Sequence, residues 1–73
     1  MNFKDYITID AQVRFGKPVL KGTRIAVVDV LNWFANGMTK EEIIQDFPEL
    51  SMDQINACLH YAASHEGHLG IAS

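Results

Sequence analysis

The spacing of apolar and polar positions along the chain changes character near Ala26. Before that point the signals are those of strands. Tyr6-Ile7-Thr8-Ile9 alternates and is rich in β-branched and aromatic residues, which predicts a short strand ending near Asp10. Pro18-Val19-Leu20, with Gly16 before it and Gly22 after it, predicts a second, and Pro18 belongs at a strand start or on an edge because it donates no ladder hydrogen bond. A two-stranded ribbon is marginal in water, so it must pack on helices or on another subunit. From Ala26 onward the period is helical. Val27, Val30, Leu31 and Phe34 fall at i, i+3, i+4 and i+7, one stripe of a helix over 27–36 that Asn36-Gly37 ends. Thr39-x-x-Glu42 is a capping box for a second helix facing inward through Ile43, Ile44 and Phe47, and Pro48 stops it. Ser51-x-x-Gln54 opens a third, with Ile55, Cys58, Leu59 and Ala62 inward.

A short helix, a turn near Pro48-Glu49-Leu50-Ser51 and a longer helix form a helix-turn-helix pattern, with the 27–36 helix packed behind it. The expected fold is mainly α with a small β element: two short N-terminal strands, then a three-helix, helix-turn-helix-like bundle of winged-helix or homeodomain type. It fills one domain over residues 1–66, and the glycine-containing stretch 67–73 is expected to be a loose tail. At 73 residues there is room for one core, and a chain this short buries only about 60% of the surface its unfolded form exposes. The lone Cys58 excludes an internal disulfide and no paired Cys/His spacing indicates zinc, which leaves self-association as the stabilising supplement. Phe3, Tyr6, Phe15, Trp33 and Tyr61 are more large aromatics than one small core encloses, so some are expected at a homodimer interface.

The net charge of −3 conceals an asymmetry. Residues 1–24 carry five cations against two carboxylates, net +3, while residues 25–73 carry one cation against seven carboxylates, net −6. Any anionic ligand or acidic partner should therefore meet the N-terminal segment. No apolar run reaches the roughly 18 residues of a membrane span, the N-terminus lacks an apolar signal core, and a cytoplasmic, non-membrane protein is expected. The inventory does not suggest an enzyme. Gly16-Lys17-Pro18 lacks the frame of a phosphate loop, and no Ser/His/acid or Cys/His set stands out by spacing. His65 and His68 lie three apart around Glu66 without the frame of a zinc-binding helix, so neither a metal nor a cofactor is expected.

If DNA is bound, the third helix would read it, through Gln54, Asn56, Ala57 and His60. That helix carries Asp53 in its first turn and no Lys or Arg, so the phosphate clamp would have to come from the strands. The most distinctive stretch is Gly16-Lys17-Pro18-Val19-Leu20-Lys21-Gly22-Thr23-Arg24-Ile25. One reading is a hairpin arm whose lysines discourage edge-to-edge aggregation. The other is a rigid turn presenting Arg14, Lys17, Lys21 and Arg24 to an acidic partner, with Thr23 capping the following helix.

These blocks carry a family resemblance. Ile7-Thr8-Ile9-Asp10, Gly16-Lys17-Pro18-Val19, Lys21-Gly22-Thr23-Arg24-Ile25, Gly37-Met38-Thr39 and Phe47-Pro48-Glu49-Leu50 together resemble the domain of unknown function 433 family, small prokaryotic proteins with a helix-turn-helix-like core. Two places depart from its pattern: Ala26 stands where many relatives have proline, and Arg14-Phe15 where small residues are common. The resemblance implies a homodimeric antitoxin that binds and neutralises a PIN-like ribonuclease encoded beside it and autoregulates its operon. It leaves open a stand-alone DNA-binding regulator and a dimerisation module without DNA contact.

Overall fold

The computed structural model describes residues 2–65, with the side chain of His65 left undescribed; the tail at 67–73 and His68 lie outside them. Two strands and three helices follow in the expected order: β1 (Ile7–Thr8), β2 (Val19–Leu20), α1 (Val27–Ala35), α2 (Lys40–Asp46) and α3 (Met52–His65). The strands pair antiparallel, with Ile7 opposite Leu20 and Thr8 opposite Val19. Both are shorter than the alternation suggests. Tyr6 is taken by a 3₁₀ turn over Phe3–Asp5, its N–H donating to the Phe3 carbonyl at 2.9 Å, and Asp10 opens a turn in which its Oδ1 accepts from the Gln12 N–H at 2.9 Å. Local side-chain and turn hydrogen bonds of this kind compete with the ladder at both ends of β1.

Beyond β2 the chain doubles back. Leu20 N–H donates to the Ile25 carbonyl at 2.9 Å, Val27 N–H donates to the Pro18 carbonyl at 2.9 Å, and Val19 bridges to Ala26. Residues 18–27 are therefore a hairpin with Lys21–Arg24 at its tip, leading straight into α1.

The helices end where their caps demand. Gly37, at φ +93°, takes the left-handed conformation that closes α1. Both expected capping boxes are reciprocal: Thr39 with Glu42 (2.8 and 3.1 Å) and Ser51 with Gln54 (2.7 and 3.1 Å). Helix α3 packs against α1, α2 and the N-terminal 3₁₀ turn, so more of its circumference is covered than a single stripe. Ile55 and Cys58 are fully buried as expected, but so is Ala57, which the helical spacing had left outside. With Leu20, Val30 and Ile43 they form the centre of one contiguous core. Burial pushes the Cys58 thiol up to about 11, so it stays protonated and behaves as a small apolar residue.

The expected surplus of aromatics is mostly absorbed within the single chain. Trp33 stacks on Phe47 at 4.4 Å, Phe3 meets the edge of Tyr61 at 5.4 Å, and Tyr6 packs half-buried against the core. Phe15 is the exception, 97% exposed. Half-buried aromatic pairs and satellites around a small core accommodate four of the five rings, of which composition places only some at a subunit interface.

Candidate functional site

The tip of the hairpin is a tight turn. Thr23 N–H donates to the Leu20 carbonyl at 3.1 Å, and Gly22 occupies the third turn position at φ +77°, where a side chain is strained. The Thr23 hydroxyl donates to the Leu20 carbonyl and accepts from the Ile25 N–H, both at 2.9 Å. Its hydrogen bonds are thus spent inside the turn, and it does not cap α1 as the sequence suggested. The turn leaves Lys21 and Arg24 exposed, with no carboxylate in ion-pair reach among the described residues. Two cations on a rigid, hydrogen-bonded frame lose little conformational freedom beyond their own side chains on meeting an anionic surface.

Helix α1 begins at Ala26, whose side chain offers no acceptor. Asp29 compensates: its Oδ2 accepts from the Ala26 N–H at 2.9 Å and from Arg14 Nη1 at 2.8 Å, while Oδ1 lies 3.4 Å from Arg14 Nη2. The hydrogen bond from Arg14 holds the Asp29 carboxyl below the usual carboxylate range against the opposing effect of partial burial, and the Ala26 N–H and the charges of Arg14 and Lys17 add to the lowering. Arg14 Nη1 also donates to the Arg24 carbonyl at 2.7 Å. The first loop, the hairpin and the start of α1 are thereby tied together at one carboxylate.

That anchor holds an unusual backbone. Arg14, Phe15 and Gly16 take φ of +52°, +60° and +81° in succession. An L-residue such as Phe15 held there costs on the order of 1–2 kcal/mol, and its ring gains no burial in return.

The Asp29 contacts have a pH signature. A carboxyl whose folded pKa is depressed contributes stability that is complete above its unfolded value of about 4 and is lost as pH falls through the folded value. Asp29→Asn is expected to cost about 1 kcal/mol at pH 7, discounted for the solvent that reaches the pair, and progressively less as the pH falls below about 4. Urea unfolding of both proteins across that range checks this; parallel stability curves would contradict it.

The structure separates the sequence-predicted site residues into distinct groups. Lys17, Lys21 and Arg24 are exposed. Arg14 is engaged with Asp29 and so contributes anchoring more than free charge. On α3, His60 is exposed and Asn56 half-buried, Gln54 is occupied by its capping box, and Ala57 cannot reach a base edge from the core. Among the described residues no group of three or more His, Cys, Asp or Glu could hold a metal ion. Sequence reasoning missed Asp29, although an acid three residues into a helix lacking a polar N-cap is a usable signal. It also missed a largely apolar groove of about 420 Å³ lined by Pro18, Val27, Val28, Leu31, Tyr61 and Ala62 with Lys17 at its edge.

Fold and arm together define a small three-helix domain of helix-turn-helix type, fronted by a basic β-hairpin. The family model described as "Protein of unknown function (DUF433)" matches residues 7–62, and the chain belongs to that family. A crystal structure of a DUF433 member protein from Anabaena variabilis ATCC 29413 superposes with a TM-score of 0.82 at 22% sequence identity, covering 92% of this chain and 66% of that chain. The chain thus spans just under two thirds of that relative's length, and the likeness at this identity is one of fold. No curated protein matches. No helix among the described residues is long and apolar enough to cross a membrane.

Proposed function

We propose that this chain is a non-enzymatic binding module of antitoxin type, a cytoplasmic homodimer that neutralises a PIN-like ribonuclease and contributes to repression of the operon encoding both. The observation that supports this most is the hairpin tip, where Lys21 and Arg24 stand exposed on a frame fixed by Gly22 and Thr23, in a chain whose remainder is acidic. A nuclease that gathers carboxylates around a metal presents the opposite charge in a concave pocket, and a rigid two-cation turn is complementary to it. Lys17, exposed on the same arm, adds to the field.

Stand-alone reading of DNA is the weaker alternative. Phosphate contacts supply most of the affinity for a duplex, yet α3 bears Asp53 and no Lys or Arg, and α2 with its turn adds Glu41, Glu42, Asp46 and Glu49 against Lys40. Repression would then need the basic arm or the bound nuclease to hold the phosphates.

The test is RNA cleavage by the PIN-like ribonuclease that this reading pairs with the chain. An equimolar amount of the chain is expected to abolish cleavage and to co-elute with the enzyme. Undiminished cleavage with no complex would overturn the assignment.

A further inference from the structure

The fully exposed Phe15 stands at the head of the segment that forms one wall of the apolar groove. Lys17 and Pro18, two and three residues beyond Phe15, contribute to the groove lining, and Arg14 pins the turn to Asp29, the chain neighbour of Val28, which lines the groove and is 41% exposed. A projecting ring next to a hollow on the same patch is what a two-fold, self-complementary contact requires, since each copy must offer both halves. We propose that two copies of this chain pair about a two-fold axis by exchanging their Phe15 side chains, each ring seating in the partner's groove between Pro18, Val28, Leu31 and Tyr61. This rests on the homodimer reading above and names its surface.

Size and charge favour a second copy as the occupant, and area sets how tightly it binds. A cavity of roughly 150 Å³ accommodates a benzene ring, so a groove of about 420 Å³ has space for the phenyl group and its stem. This patch carries one uncompensated cation, against two at the hairpin tip. Arg14 is neutralised by Asp29, leaving Lys17, exposed and able to stay in solvent, as the charged residue of the lining, so two copies repel less here than they would at the hairpin tip with Lys21 and Arg24. A Phe ring buries roughly 150–250 Å². Two exchanged rings and the groove walls they cover amount to about 600–1,000 Å², below the ~1,200–2,000 Å² of a stable complex and within the range of weak, reversible ones. The dimer is therefore expected to dissociate on dilution in the micromolar range.

The backbone makes the exchange testable in opposite directions. Asn tolerates positive φ far better than Phe, so Phe15→Asn removes the ring and relieves the strained turn together. Sedimentation of the full chain should show the dimer weakened at least tenfold, while the melting temperature of the dilute monomer rises by about 4 °C. Val28→Glu, which fills the hollow with charge and leaves the ring intact, should weaken the dimer to a similar extent. A mixture of the two variants restores one of the two contacts and should associate more tightly than either alone. A wild-type dimer unchanged by either substitution would overturn the exchange while leaving self-association standing. A wild-type chain that sediments at 8.2 kDa even at several hundred micromolar would overturn both.

Discussion

Replacing Ile55 by alanine is expected to remove about 2–5 kcal/mol of stability, enough to leave much of the protein unfolded at 37 °C. Ile55 is fully buried on α3, the helix that packs on α1, α2 and the N-terminal 3₁₀ turn, so the lost side chain borders most of the core and no single neighbour can close the gap. A folded unit of this size has a total stability of only about 3–10 kcal/mol. The melting temperature should fall by roughly 10 °C or more, since 1 kcal/mol moves a domain of this length by about 4–8 °C. Ile9→Ala supplies the comparison, because Ile9 is 62% exposed and its truncation should cost less than about 0.5 kcal/mol. Urea unfolding followed by helical circular dichroism checks both. A loss below about 1 kcal/mol at Ile55 would mean that α3 is not the centre of the core.

The elements were legible where a local rule acted alone. Apolar spacing from Val27 to Phe34, the boxes at Thr39/Glu42 and Ser51/Gln54, and the left-handed Gly37 each place a helix boundary without tertiary information, and the structure agrees with them. What was not legible came from contacts far apart in sequence. Ala57 is buried because three other elements surround α3, and no period in a single helix encodes that. Arg14 looked like a free cation of the arm until folding brought it to Asp29, fifteen positions along the chain. The left-handed run at Arg14-Phe15 was equally hidden, since neither residue favours positive φ and the following glycine marks only its end. The arm itself was visible, because Gly22 after a short strand marks a turn and its lysines and arginine need only sequence to be counted, whereas Thr23, expected to cap α1, turned out to serve the turn.

Reversing both hairpin charges, Lys21→Glu with Arg24→Glu, is expected to weaken binding to the cognate nuclease by roughly a thousandfold or more. Losing one partner of a desolvated charge pair costs about 2–5 kcal/mol, and tenfold in affinity corresponds to about 1.4 kcal/mol. Two such losses, with repulsion from the nuclease carboxylates added, pass a thousandfold comfortably. Stability should hardly change, because both side chains are exposed and their backbone bonds do not depend on residue type. This separates a binding surface from a structural one.

The complementary reversal at Asp46 and Glu49 should leave binding nearly intact, because those exposed carboxylates lie at and just beyond the end of α2 in the acidic helical body. Calorimetric titration of the wild-type and Lys21→Glu/Arg24→Glu proteins into the nuclease, with a thermal melt of each, is the most direct measurement. The basic hairpin as the contact surface requires the variant to melt like the wild type and give no measurable heat of binding; a variant that binds within about threefold of the wild type would contradict it.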